Sequence, residues 1–211
     1  MSSINKKCDG SLVTNKDISI QKAIIDMISI RYPTIVNVVA EEDTDNHHDI
    51  YDFTGDYLVL DPIDGTENFA ANIPMYGIAM SLRHEGEYID IIYIPSIREE
   101  ITNLNDFKIV KPNEENNIRL ASTKCLKHGL LQGDNIRILG SSSYMFYLLL
   151  SGKARSYKYC GGAKIWDCYT GLRLAREYGC RITLDSHQSM AEWLTHPTHL
   201  TSFEISWPYK S

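Results

Sequence analysis

The sequence predicts a mixed α/β (α+β) domain built from layers of helix and sheet, and three observations carry that expectation. Short β-branched runs in the first half end in carboxylates. Two further runs, Tyr76–Leu82 and Tyr88–Ile94, are joined by a turn containing Glu85 and Gly86, which predicts a hairpin. The second half alternates strand-like and helix-like segments, for which stacked layers are the natural packing. With 211 residues and 43% hydrophobic content, the chain can bury one large core or two closely joined halves.

Along the chain, Asp17–Tyr32 carries Ile20, Ala23, Ile24, Met27 and Ile28 at helical spacing, with Asn15 or Asp17 as a cap and Pro33 just beyond. Ile35–Val39 reads as a strand running into Glu41-Glu42-Asp43, and Tyr57–Leu60 as a strand ending at Asp61-Pro62-Ile63-Asp64-Gly65-Thr66. After the hairpin, Glu100–Asn103 and Phe107–Lys111 read as continuations of the same sheet. Polar Pro112–Asn117 is the expected break between an N-terminal half (1–112) and a C-terminal half (118–211) of a single domain. In the second half, Arg119–Ser122, Ile136–Leu139, Ala154–Tyr159 and Arg181–Leu184 read as strands. Lys124–Leu131, Ser142–Leu150 and Trp166–Tyr178 read as helices, the last ending at Gly179. After Asp185 the pattern fades.

The formal net charge is −6 and the pI about 5.6, which disfavours nucleic acid and anionic membranes as partners. Apolar runs are too short to span a bilayer. The five cysteines (8, 125, 160, 168, 180) form no CxxC pair and follow a polar N-terminus, MSSINKKCDG, without a secretory signal. These features predict a cytoplasmic protein with free thiols.

The chemistry concentrates where strands end. Asp61 and Asp64, three residues apart across Pro62, suit hard cations through oxygen. Gly65 permits a tight turn, and a helix opening at Thr66 would offer amides to a phosphate. Asp, Pro and Gly are equally turn residues, so the nonamer 58–66 alone leaves a plain turn open. Glu41 ends another strand, and Asp167 opens a helix after Trp166, where a simple cap is the alternative. Three acidic strand ends or helix starts together favour a cation site. His47, His48, His196 and His199 read as loop or surface residues.

The ordered elements Leu12-Val13-Thr14-Asn15-Lys16-Asp17, Ala40-Glu41-Glu42, Leu60-Asp61-Pro62-Ile63-Asp64-Gly65-Thr66-Glu67-Asn68-Phe69, Gly140-Ser141-Ser142 and Trp166-Asp167 resemble the inositol monophosphatase family. That family belongs to lithium-sensitive, Mg²⁺-dependent phosphatases that include fructose-1,6-bisphosphatases and 3′-phosphoadenosine 5′-phosphate phosphatases. The resemblance runs from about Lys6 to Leu184 and implies a layered αβαβα sugar-phosphatase fold with mixed and antiparallel sheets, shortened at both ends. It implies hydrolysis of a small phosphorylated metabolite by water activated on two or three Mg²⁺ ions, with inhibition by Li⁺.

By the same resemblance, Glu41, Asp61, the Ile63 carbonyl, Asp64 and Asp167 hold metal. Asp17, Glu41 and Thr66 serve the attacking water, and Gly65 and Thr66 offer amides to the phosphate. Gly140 and Ser141 lie beside the substrate hydroxyls. Cys160 stands where inositol-specific relatives place a Glu, and Lys164, with Lys158 and Arg155 nearby, brings cations close. This pattern argues against strict inositol specificity and is compatible with a sugar phosphate or a bisphosphate. The shortened start leaves a homodimer possible rather than expected. A binding protein that keeps the fold without turnover is the competing reading, against which the full acidic set counts.

Overall fold

The computed structural model describes residues 4–6, 12–35, 37–42, 51–104, 109–131, 133–198 and 200–208. The expectations placed on Cys8, Asp43, His47, His48 and His199, and on the first part of Phe107–Lys111, lie outside these residues.

A short antiparallel pair, β1 (Ile4–Lys6) and β2 (Leu12–Thr14), leads into α1 (Asn15–Arg31). The helix is capped by Thr14 rather than Asn15 or Asp17: the Thr14 side chain accepts from Lys16 N at 3.2 Å, while Asp17 reaches back to the Thr14 amide at 2.9 Å. This reciprocal pairing satisfies two helix-start groups at once.

The first sheet has the order β3-β4-β5-β6-β7, with β3 (Asn37–Ala40), β4 (Tyr57–Asp64), β5 (Gly77–His84), β6 (Glu87–Ile94) and β7 (Glu99–Thr102). Only β3 and β4 pair parallel within it. All eight residues of β4 are buried, as a strand covered on both faces requires. Leu58 and Leu60 pack towards α1 with Ile24, Ile25 and Ile28. Tyr57 and Val59 face the main core instead. The strand runs past its expected end at Leu60 to Asp64, with a register shift between Asp61 and Asp64. Pro62 has no N–H to donate there, which is why the ladder breaks.

The short helix α2 (Thr66–Ala70) follows at once. Gly65 starts it with φ +91°, and a Cβ there would stand 2.9 Å from the Ser141 Cβ, so both the backbone and the space require glycine.

The second sheet has the order β11-β12-β10-β8-β9, with β8 (Arg119–Ala121), β9 (Ile136–Arg137), β10 (Ser156–Ala163), β11 (Arg181–Leu184) and β12 (Leu200–Ser206). Between the sheets lie α4 (Ser142–Leu150) and α5 (Ile165–Glu177), whose buried faces join both sheets in one core with Phe146, Leu149, Tyr169, Leu172, Trp193 and Phe203. At Gly171 the two helices come closest: a Cβ there would lie 2.3 Å from the Phe146 ring. Helix α3 (Thr123–Lys127) packs on β10 from the far side, through Cys125, Ala121 and Cys160. Helix, sheet, helix pair, sheet and helix stack in that order, which is the layered architecture expected.

Several expectations change. Residues 109–111 form no strand, and α3 stops at Lys127 rather than Leu131. Helix α6 (Met190–Thr195), with a Ser189–Glu192 capping box, and most of β12 fill the region after Asp185 that carried little signal. Cys125 and Cys160 are not free thiols but a disulfide, their Cα atoms 5.4 Å apart across α3 and β10. Cys168 and Cys180 are free. No helix among the described residues is long and apolar enough to cross a membrane.

Candidate metal centre

The two ends of β4 and α5 converge. Asp61 and Asp64 come from the strand, and Asp167 from the first turn of the helix. One carboxylate oxygen from each lies within 4.8 Å of the others. Asp61 is 1% exposed, and neither of its oxygens has a hydrogen-bond partner among the described residues. Burial pushes its pKa well up, and the charges of Glu41, Asp64 and Asp167 push it further. A buried carboxylate with no donor is costly as an anion, so the arrangement calls for a cation.

Asp64 is better supplied. The Ser141 hydroxyl donates to its Oδ2 at 2.8 Å, and the Ser143 amide donates to the same oxygen. Burial still outweighs these donors and raises its pKa to about 6. The half-buried Asp167 is also raised, by burial first and then by Asp64 and Glu41, against lowering by the Lys164 amide and the Lys124 charge. Glu41 joins from β3, held beside β4 by its amide, which donates to the Leu60 carbonyl at 3.2 Å. An all-oxygen, carboxylate-rich set of this kind fits a hard divalent cation such as Mg²⁺.

Beside the carboxylates, the Thr66 hydroxyl lies 3.1 Å from Asp17 Oδ1 and 3.1 Å from the Ile63 carbonyl. With one proton, it donates to one of them at a time. Asp17 is fully buried, and its other oxygen is taken by Thr14. A cavity of about 210 Å³ opens from Asp64 and Asp167 and is walled by Ser122, Lys124, Gly140, Ser141 and Tyr159. A larger one, about 370 Å³, lies away from these carboxylates on the outer side of the second sheet, beside Arg119 and Lys158.

The structure thus gathers Asp17, Thr66, Gly65, Gly140, Ser141, Asp61, Asp64 and Asp167 into one region, with Glu41 at its edge. It does not bring in Cys160 or the Lys164 side chain, although the Lys164 amide donates to Asp167 Oδ2 at 3.4 Å. Cys160 is 3% exposed and its sulfur is bonded to Cys125, so it cannot present a thiol to a substrate. Lys164 starts α5 on the exposed side, its ammonium 6.0 Å from the Trp166 ring centre. Arg155 is held by the carbonyls of Asn113 and Asn116, and Lys158 lies 3.8 Å from Glu204.

Three contributors were not singled out from the sequence: Asn68, Ser143 and Lys124. Asn68 donates to the Met75 and Leu139 carbonyls at 2.7 Å each, which ties α2 to the turn that delivers Ser141. Its place in the 60–69 motif was the available signal.

Known proteins resemble this chain in sequence and in fold. Residues 2–106 match the model of the inositol monophosphatase family. A relative from Xylella fastidiosa, named Nus factor SuhB, is 27% identical over 182 residues, covering 75% of this chain. The chain spans 64% of that relative's length. Among solved structures, a staphylococcal inositol monophosphatase in a LiCl-soaked inhibitory complex superimposes with a TM-score of 0.77 at 17% identity, covering 97% of this chain and 81% of that one. An IMPase/NADP phosphatase complexed with Mg²⁺ and phosphate gives 0.74 at 18% identity, covering 97% and 81%. At these identities the structural likeness speaks for the fold. Taken with the sequence match over the half that carries Glu41, Asp61 and Asp64, it means that the chain belongs to the inositol monophosphatase family.

Proposed function

We propose that the protein is a Mg²⁺-dependent phosphomonoesterase acting on a small phosphorylated metabolite. The observation that carries this reading is the Asp61 carboxylate, buried with no donor among the described residues and surrounded by three other carboxylates. A fold serving only as a scaffold has no use for such a group. The residues that would hold the cation are Glu41, Asp61, Asp64 and Asp167, with the Ile63 carbonyl. Bound there, Mg²⁺ supplies positive charge against the phosphate and makes water acidic enough to attack.

The chain's own groups divide the remaining work. Asp17 and Thr66 form a hydroxyl–carboxylate pair at 3.1 Å that would orient the attacking water and take up its proton. The amides of Gly65 and Thr66 would face the phosphate oxygens. Ser141 holds Asp64 in place and borders the cavity where the alcohol part of the substrate would sit. The Mg²⁺ and phosphate of one structural neighbour, and the lithium inhibition of another, support the metal and the expectation that Li⁺ inhibits.

A protein of this fold without turnover is the second reading, which a relative named as a Nus factor favours. One assay separates them: phosphate release from inositol 1-phosphate, fructose 1,6-bisphosphate and 3′-phosphoadenosine 5′-phosphate, with Mg²⁺ and with EDTA. Release that EDTA stops is the expected result. No release from folded, Mg²⁺-saturated protein favours the second reading.

A further inference from the structure

Lys124 lines the 210 Å³ cavity together with Asp64 and Asp167. Its position is built rather than accidental. The Nζ donates to the Gly161 carbonyl at 2.6 Å, and the methylenes lie flat on Gly161. A Cβ at residue 161 would meet Lys124 Cδ at 2.3 Å and Cβ at 2.8 Å, so only glycine leaves room for this side chain. Gly161 has φ +94°, which glycine also serves. Among the described residues, no carboxylate lies within 4.0 Å of the Lys124 ammonium, whereas Lys153 and Lys158 each have one. One of its three protons goes to the Gly161 carbonyl, which leaves two donors, while its charge also acts on Asp167. Ser122, Tyr159 and Met145 line the cavity beside Lys124.

We infer that Lys124 is a specificity-determining residue that binds a second anionic group on the substrate, so that the preferred substrates are small phosphomonoesters carrying a further phosphate or carboxylate. The inference rests on the phosphatase reading for the site. The electrostatic logic is simple. A singly phosphorylated polyol offers the cavity neutral hydroxyls, which an ammonium holds weakly. A second anion on the substrate meets a cation held at the exposed rim by the Gly161 carbonyl, and a charge-assisted hydrogen bond is about twice as strong as a neutral one.

The test uses two matched pairs: glycerol 3-phosphate with 3-phosphoglycerate, and fructose 1-phosphate with fructose 1,6-bisphosphate. Each pair differs by one anionic group. For the full chain with Mg²⁺, both kcat/KM and the calorimetric Kd are measured for wild type, Lys124→Met and Lys124→Arg. Methionine keeps the methylenes on Gly161 and removes the charge. The expected result is a preference for the doubly anionic member of at least one pair, reduced about tenfold by Lys124→Met, chiefly through KM, and restored by Lys124→Arg.

Equal losses on both members of each pair, a shift only in Mg²⁺ half-saturation, or no preference in wild type would overturn the inference while leaving the phosphatase reading intact. A binding preference erased by Lys124→Met without any phosphate release would do the reverse.

Discussion

Two buried aspartates on the first sheet face the same helix and have opposite surroundings. Asp90 on β6 is fully buried and fully paired. Arg173 Nε donates at 3.0 Å to both its oxygens, the Ser81 hydroxyl donates at 2.6 Å, and the Arg173 guanidinium stacks 3.9 Å over the Tyr88 ring. Asp61 on β4 is as deep and has no hydrogen-bond donor among the described residues. Helix α5 gives Arg173 to the first and Asp167 to the second. The comparison teaches how to tell a structural carboxylate from a functional one. Burial is common to both, and the difference lies in whether the protein itself supplies the countercharge.

The largest effects should come from neutralising each in turn. Asp61→Asn should lower phosphate release by something on the order of 10³-fold while raising stability in EDTA, because it removes a repelled charge. Asp90→Asn should leave Arg173 buried without its anion and cost about 3–5 kcal/mol, with the Mg²⁺ requirement unchanged. Assays of phosphate release and urea unfolding on both variants decide the matter. If Asp61→Asn proved as destabilising in EDTA as Asp90→Asn, the contrast would collapse.

A smaller effect concerns pH. Asp64 has its folded pKa raised from 3.8 to about 6. Between these values the folded state holds the proton that the unfolded state has released. Its contribution to stability is therefore complete below about pH 4 and is lost as pH rises through about 6, by up to about 3 kcal/mol. In EDTA, the protein should be more stable at pH 5 than at pH 7.5, and saturating Mg²⁺ should remove that difference. Thermal melts at the two pH values, with and without Mg²⁺, measure it.

The smallest change is Ser141→Ala. It deletes both the α4 cap to the Tyr144 amide at 3.1 Å and the donor to Asp64, and should cost about 1 kcal/mol with a weaker Mg²⁺ half-saturation. Full Mg²⁺ affinity in this variant would mean that Ser141 serves the helix alone.

Much of the site could be read directly because its parts are local. Asp61, Pro62, Asp64 and Gly65 form one strand end and turn, and α5 is long enough to show its periodicity. What escaped the sequence depends on distant contacts. Strand β12 buries Leu200, Phe203 and Ile205, and the step of three between the first two breaks the two-residue alternation. That step matches the register shift between Cys160 and Ala163 on its partner β10. Helix α6 has only six residues, too few to show a period, though Ser189 and Glu192 spell its capping box. The place of Lys124 depends on a glycine 37 positions away. The Cys125–Cys160 pair joins residues 35 apart that α3 and β10 bring together, which cysteine spacing cannot reveal.

Gly171 touches no carboxylate, yet it sets how closely α5 approaches α4 through the Phe146 ring. Helix α5 carries Asp167 at one end, and Ser141 and Ser143 hold Asp64 from the start of α4. An added methyl group at residue 171 would act as a wedge between the two helices, and the displacement would be felt at their ends, where the carboxylates meet. Position 171 is therefore constrained although it lies outside the cavity lining, and efforts to reshape this pocket do best to vary its walls while leaving that helix crossing untouched.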